Sequence, residues 1–311
     1  MINNVLLYNS GGGIGDALQI LPLINILKSE LKNTKFYYLS AHENHFNSTL
    51  KDLNCEIESL NLKIKYFGFR WWHALIVKKR VKMQNIESFD LILDLQSKIR
   101  NSLILKIIPH KKFISSSFNF KLSKPNLSIK KENKIGKTIL KAINILFEKN
   151  YQISEYNINK IHKKFHSESE KLLPNKNYVG LSITQGNVYR KKEWPLDNII
   201  KISNKLLESN KTPVFFIEKK NRELKNKIQE LVPYSLFPEH ESNLSSPALV
   251  VCLGKRLDFA ITIDNGVMHM LSLSKVPMIS LFGPTDSEKF APEYEKSIVL
   301  DSKKIHNTKN I

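Results

Sequence analysis

Val5-Leu6-Leu7-Tyr8-Asn9-Ser10-Gly11-Gly12-Gly13-Ile14-Gly15-Asp16 is the stretch on which the fold turns. Its apolar run reads as a strand buried on both faces, and its glycines as a tight loop. Leu18, Leu21, Ile24 and Leu27 beyond them mark one stripe of a helix. A buried strand that feeds a helix through glycines opens a βαβ unit, so the expected class is α/β with parallel sheets. Further strands are expected at residues 36–39 and 89–95. A helical stripe over 139–147 breaks into a polar, Asn/Lys-rich stretch at 151–176, where the domain linker is placed. The alternation then resumes, with strands at 178–184, 213–217, 257–263 and 276–282. Helices are expected around Ile199, Ile202 and Leu206, and at 221–231, 247–253 and 267–274. Two Rossmann-like domains follow, residues 1–160 and 161–311. Parallel sheets of this kind bind ligands at the carboxyl ends of their strands, where strand order reverses, so the two sheets are expected to face across a cleft.

The 311 residues suit two domains of ordinary size. With 41% hydrophobic and 25% charged residues, the chain is neither disordered nor fibrous. Lys and Arg number 48 against 29 Asp and Glu, a net charge of +19. Such a field favours polyanions: phosphorylated substrates, an anionic membrane face or nucleic acid. Part of the excess reflects a Lys/Asn/Ile-rich composition, but the charge is clustered. Residues 60–83 hold no acid, yet include Lys63, Lys65, Arg70, Lys78, Lys79, Arg80 and Lys82; between 95 and 147 the only acid is Glu132. Cys55 and Cys252 form neither a disulfide framework nor a metal knuckle, which fits a reducing cytoplasm. The start lacks a cationic region, and no apolar run approaches a membrane span. The expected place is the cytoplasm, free or resting on the inner face of the cytoplasmic membrane.

The glycine loop is not a dinucleotide fingerprint. The third glycine of G-x-G-x-x-G is missing, and Asp16 stands where a carboxylate would repel a pyrophosphate. The end of the second strand, Ser40-Ala41-His42, lacks the ribose-binding acid, and no G-K-[ST] is present. Asp16, at a helix start beside glycines, has two readings: a proton acceptor at the mouth of a cleft, or a helix cap.

The richest segment of the second half is Thr262-Ile-Asp264-Asn265-Gly266-Val-Met-His269, a strand end opening a helix. Backbone N–H groups at Asn265 and Gly266 would point at phosphates there. Phe282-Gly283-Pro284-Thr285 makes a second turn at the same sheet edge, where Thr285 would donate a hydrogen bond. Thr184 leaves the first strand of this half in the same way, and Lys192 follows as a counter-charge for a diphosphate. Singly, Asp264 reads as a cap, His269 as a core histidine and Lys192 as a solvated lysine; together, on adjacent strand ends, they favour a site.

These residues resemble the heptosyltransferases, glycosyltransferase family 9, which have the two-domain GT-B fold. The resemblance is carried by Ile14-Gly15-Asp16 with Leu21-Pro22, by Leu93-Asp94-Leu95-Gln96 with Arg100-Asn-Ser102, by Lys192-x-Trp194-Pro195, and by Asp264-Asn-Gly266-x-x-His269 continuing to Phe282-Gly283-Pro284-Thr285-Asp286. It implies inverting transfer of heptose from ADP-heptose to a lipopolysaccharide inner-core acceptor, an anionic glycolipid, at the cytoplasmic membrane face. It makes residues 1–160 the acceptor-binding domain, with Gly13, Gly15, Asp94, Gln96 and Arg100 facing the acceptor and Asp16 as general base. Residues 161–311 become the nucleotide-sugar domain, with Thr184, Lys192, Asp264, Asn265, Gly266, His269 and Thr285 on the donor. No metal and no resident cofactor are implied, nor is nucleic acid; the nucleotide sugar is the substrate. The sequence departs from the family pattern at Asn9-Ser10, where a basic residue is usual, at Ser97 in place of glycine, at Glu218-Lys219, and in a short closing segment after Pro292.

Two other classes are kept as alternatives: a nucleic-acid-binding basic protein, motivated by the charge, and a dinucleotide-dependent oxidoreductase, weakened by Asp16. Separately, Tyr66-Phe67-Gly-Phe69-Arg70-Trp71-Trp72-His73 with the basic cluster behind it suits a membrane interface or a lipid-linked acceptor. An ordinary amphipathic helix packed on the first domain fits the same residues.

Overall fold

The computed structural model describes residues 2–186 and 188–311. The chain divides into two compact units, Met1–Lys51 with Cys55–Glu155, and Asp52–Asn54 with Tyr156–Ile311. Residues 52–54 side with the second unit because the Leu53 carbonyl accepts from Tyr156 Oη at 2.9 Å and Asn54 Nδ2 donates to the Lys160 carbonyl.

The first unit runs β1 (Asn4–Asn9), α1 (Ile14–Glu30), β2 (Lys35–Ser40), β3 (Glu58–Ser59), α2 (His73–Met83), β4 (Phe89–Asp94), α3 (Ile99–Leu105), β5 (His110–Ser115) and α4 (Ile135–Phe147). All its strand pairs are parallel, in the order β3-β2-β1-β4-β5. The central strands β1 and β4 are covered on both faces, which is why their sequences, NVLLYN and FDLILD, run apolar rather than alternating. Helix α1 buries Ala17, Leu18, Ile20, Leu21, Leu23, Ile24, Ile26 and Leu27, because it packs against α4 as well as the sheet. Pro22 lies mid-helix and removes one i→i−4 bond there.

The second unit runs α5 (Lys163–Leu172), β6 (Tyr178–Ser182), α6 (Leu196–Glu208), β7 (Thr212–Phe215), α7 (Arg222–Leu231), α8 (Pro238–Glu241), α9 (Pro247–Gly254), β8 (Phe259–Ile263), α10 (Gly266–Leu273), β9 (Met278–Phe282), α11 (Ser287–Phe290), β10 (Ser297–Asp301) and α12 (Ser302–His306). Its sheet is also parallel, ordered β10-β9-β8-β6-β7. The strands that periodicity does not mark, β3, β5 and β10, lie at sheet edges. There one side meets solvent, and residues such as Lys111, Ile298 and Leu300 stay accessible.

Strand order reverses between β1 and β4 in the first sheet and between β6 and β8 in the second. At such a switch point the connections leave in opposite directions, and a crevice opens beyond the strand ends.

Candidate active-site residues

In the first unit, Asn9 ends β1 and organises the switch point. Its Oδ1 accepts from the Gly11 amide at 2.9 Å and from Gln96 Nε2 at 2.6 Å, while its Nδ2 donates to the Asp16 carbonyl at 3.3 Å. One buried amide thus ties the glycine loop, the start of α1 and the segment after β4. Sequence reasoning noted Asn9 only as a departure from a family pattern; its position at a strand end before glycines was the available signal.

The glycines differ in purpose. A Cβ on Gly11 would fall 2.5 Å from Asp16 Cβ and 2.7 Å from Oδ2, so this glycine makes room for the aspartate. A Cβ on Gly12 would fall 2.7 Å from the His42 ring, whereas one on Gly13 would meet only Asp16 Oδ2 at 3.7 Å. Gly13 is the N-cap of α1, in extended backbone, and Gly15 is the second helical residue, whose amide has no acceptor inside the helix. Asp16 sits half-buried in the first turn, and its Oδ2 accepts from the Gly13 amide at 3.4 Å. That bond is long, and among the described residues the other carboxylate oxygen has no hydrogen bond. Asp16 therefore closes the helix start while presenting an acceptor outward.

Asp94 differs from expectation. It is fully buried, its Oδ2 accepting from Ser102 Oγ at 2.5 Å and Ser115 Oγ at 2.7 Å, and its Oδ1 from the Gln96 amide at 3.0 Å. Burial pushes its carboxyl up to about 6, against the lowering pull of those three bonds. The expectation that Asp94 faces an acceptor is corrected: serines from α3 and β5 enclose it, and its work is to hold the backbone that presents Gln96. Gln96 stays half-exposed. Arg100 is half-exposed too, with Nε donating to the Gly68 carbonyl at 2.8 Å.

Beside the loop lies a rim of which the sequence offered only the aromatics Tyr66 and Phe69, not their partners. The His42 ring packs edge-on against Tyr66 and Phe69, at centroid distances of 5.0 and 6.2 Å, and Lys98 Nζ stands 5.7 Å over Phe69. His45 Nε2 lies 3.2 Å from the Gly12 carbonyl. No local pattern foretells this, because the contacts join three separate loops.

In the second unit, Asn265 plays the part of Asn9. Its Nδ2 donates to Ser182 Oγ at 2.7 Å and to the Thr184 carbonyl at 2.8 Å, bridging the ends of β6 and β8. Its Oδ1 caps α10 by accepting from the Met268 amide at 2.9 Å. The Asn265 side chain is committed internally, so what it offers a ligand is the helix start it shapes: the amides of Gly266 and Val267 have no intrahelical acceptor and carry the positive end of the helix dipole. Lys192 is not solvated. Its Nζ bonds Asp264 Oδ2 at 2.5 Å and the Asp264 carbonyl at 3.1 Å, and the two side chains are only 10% and 8% exposed. The Lys192 amide in turn donates to Gln185 Oε1 at 2.8 Å. His269 is buried one turn into α10. Thr184 is half-buried, and its carbonyl is one of the Asn265 acceptors.

On the neighbouring strand end, Thr285 Oγ1 is buried and has no partner among the described residues. A hydroxyl sealed from water without a hydrogen bond is disfavoured, and a ligand oxygen would satisfy it. Gly283 is required by close approach: a Cβ there would lie 2.5 Å from the Lys309 carbonyl. Asp286 caps α11 through the Glu288 and Lys289 amides. The second edge thus gathers Thr184, Lys192, Asp264, Gly266, His269 and Thr285 around the ends of β6, β8 and β9.

The model of "Glycosyltransferase family 9 (heptosyltransferase)" matches residues 77–311. The chain belongs to glycosyltransferase family 9. The matched span holds the whole second edge, Asp94, Gln96 and Arg100, and begins after the glycine loop with Asp16. Lipooligosaccharide heptosyltransferase 2 of Campylobacter jejuni subsp. jejuni serotype O:6 is 24% identical over 286 residues, covering 90% of this chain and 81% of that one. Among solved structures, the family 9 glycosyl transferase from Veillonella parvula DSM 2008 matches with a TM-score of 0.68 at 14% identity, over 96% of this chain and 87% of that one. E. coli heptosyltransferase WaaC with ADP matches with a TM-score of 0.67 at 14% identity, over 96% and 93%. At that identity the structures speak for fold alone: two Rossmann-like units in one chain, the GT-B composition. Membership makes the protein a heptosyltransferase-like glycosyltransferase, and the dinucleotide-dependent oxidoreductase gives way to it.

Proposed function

We propose that this family 9 protein moves a heptose from ADP-heptose, with inversion at the anomeric carbon, onto an anionic glycolipid acceptor of the lipopolysaccharide core type. The observation that carries the reading is the β6/β8 switch point. There the free amides at the start of α10, the positive end of its dipole, stand beside Lys192, which Asp264 holds in place, an arrangement that suits a diphosphate. The names of relatives agree: one WaaC structure is described with ADP-2-deoxy-2-fluoro heptose, and the Campylobacter jejuni relative acts, by its name, in lipooligosaccharide synthesis.

In this reading the Gly266 and Val267 amides and Lys192 take up the charge that builds on departing ADP. Asp264 positions Lys192 and the donor sugar's hydroxyls, His269 lines the same edge, and Thr285 Oγ1 finds its missing partner on the donor. Asp16 accepts the acceptor's hydroxyl proton as that oxygen attacks the anomeric carbon and the bond to the diphosphate breaks. One base and one displacement give inversion. Asp94, sealed among serines, offers no second nucleophile. Gln96, Arg100 and the Gly13–Gly15 backbone hold the acceptor, and charge neutralisation by lysine and amides asks for neither metal nor resident cofactor.

The test compares Asp16→Asn with the parent. Turnover of ADP-heptose should fall by about a thousand-fold or more while ADP-heptose affinity by calorimetry stays within about two-fold, because general-base catalysis contributes on that scale without binding the donor. Retained turnover makes Asp16 a cap only. Absence of any ADP-heptose binding by the parent removes the donor assignment.

A further inference from the structure

Away from both sheet edges, the first unit keeps a face that folding does not cover. Helix α2 buries only His73 and Val77. Trp71 is 60% exposed, Trp72 58%, Leu75 74% and Met83 61%. These apolar residues share the outside of the helix with exposed Lys78, Lys79 and Lys82. Helix α3 packs beside α2 and adds exposed Ile99 and Leu103. Helix α2 packs on the unit through Val77, with Ala74 and Val81 beside it, yet Trp71 and Trp72 just before it and Leu75 on its far side stay exposed.

The exposure is not that of a loose loop. Phe67 is fully buried and its carbonyl accepts from Tyr8 Oη at 3.1 Å. Gly68, at φ +82°, donates its amide to His73 Nδ1 at 3.2 Å and accepts Arg100 Nε at its carbonyl. The segment is anchored on its inner side and presents indole rings on its outer side, with the Arg70 guanidinium 5.6 Å over the Trp72 ring.

We infer that this α2 face docks on an anionic lipid bilayer. Indole rings and aliphatic side chains suit the headgroup–acyl boundary, and lysines flanking them pair with anionic headgroups. Between Glu58 and Glu87 the sequence has no acid to oppose that contact. Lysine is depleted in protein–protein interfaces, and exposed Leu75, Met83 and Leu103 do not match a polar nucleic-acid contact, so the mixture favours lipid over either. The face is continuous in chain with Tyr66 and Phe69 of the rim beside the glycine loop, which would bring that loop near a membrane-held molecule. The inference rests on surface chemistry and does not need the sugar-transfer reading.

The experiment is co-sedimentation of the full chain with vesicles of phosphatidylglycerol and phosphatidylcholine, against vesicles of phosphatidylcholine alone. Binding is expected only to the mixed vesicles and should weaken with salt. One basic residue at an anionic surface strengthens binding about five-fold, so K78E/K79E/K82E should lower partitioning by about a hundred-fold or more. Trp71→Ala/Trp72→Ala/Leu75→Ala should weaken it as well. In a Trp194→Phe background, brominated lipid should quench the fluorescence of Trp71 and Trp72. Circular dichroism checks that the variants fold; their substitutions leave the buried His73 and Val77 in place. Failure of the parent to pellet at low salt overturns the inference, as does pelleting that both variants retain. So does salt-steep RNA binding lost in the lysine variant without vesicle binding. A chain that binds vesicles but ignores ADP-heptose would sink the proposed reaction and leave this face standing.

Discussion

Removing the Lys192 ammonium should destabilise the second unit more than any single surface substitution. Its Nζ lies 2.5 Å from Asp264 Oδ2 and 3.1 Å from the same residue's carbonyl, and neither side chain is more than 10% exposed. Lys192→Met keeps the length of the side chain, so the principal loss is electrostatic: Asp264 stays buried without its counter-charge. Breaking a buried pair in this way costs about 3–5 kcal/mol, whereas a solvated lysine would cost less than about 1 kcal/mol. Asp264→Asn should cost a comparable amount, because it leaves the Lys192 ammonium buried without its counter-charge. The double variant Lys192→Met/Asp264→Asn removes both charges and should be less destabilised than the sum of the singles by at least about 2 kcal/mol. Urea unfolding followed by Trp194 fluorescence reads the second unit when Trp71 and Trp72 are replaced by phenylalanine, which leaves one of the chain's three tryptophans. Single costs below about 1 kcal/mol, or strict additivity in the double variant, would refute the buried pair. If the proposed donor site is right, the same Lys192→Met protein should bind ADP about ten- to a hundred-fold more weakly.

Three further outcomes follow from the geometry. Gly11→Ala should abolish most turnover, because its Cβ must displace Asp16, while Gly13→Ala, with 3.7 Å of clearance, should keep it; equal losses would show that the loop is not shaped around Asp16. Glu239 in α8 is buried with Glu218 as a charged neighbour, and burial first, then that repulsion, pushes its carboxyl up to about 7. The folded state then holds a proton that the unfolded chain releases near pH 4.5, so this group's stabilising contribution is complete below that pH and is lost as pH rises through about 7, by at most about 3 kcal/mol. Glu239→Gln should flatten the thermal-stability profile across that window, and a profile that keeps the parent's slope would count against the buried carboxyl. Phe69→Ala, which removes the ring under Lys98 and beside His42, should raise KM for the acceptor several-fold with kcat nearly unchanged; a kcat loss alone would place the rim outside acceptor binding.

Much of the architecture was legible in one dimension, because burial on both faces leaves a direct mark. Apolar runs at β1 and β4, glycines at the following turn, and helix stripes at a period of 3.6 residues reveal parallel α/β units without any long-range information. Asp16, Lys192, Asp264 and Asn265 could be picked out because chemistry-bearing residues stood at strand ends. What they do there was not legible. Lys192 and Asp264 are 72 residues apart, and only the adjacency of β6 and β8 makes one neutralise the other. Asp94 looked like a strand-end ligand, yet serines supplied by α3 and β5 seal it in. The stretch before and along α2 left a membrane interface and a packed helix both open; in the structure Val77 packs inward while Trp71, Trp72 and Leu75 stay exposed. A residue's type and spacing determine which face it prefers; which partner meets that face depends on strand order and on segments far away in the chain, and that is decided only when the whole unit closes.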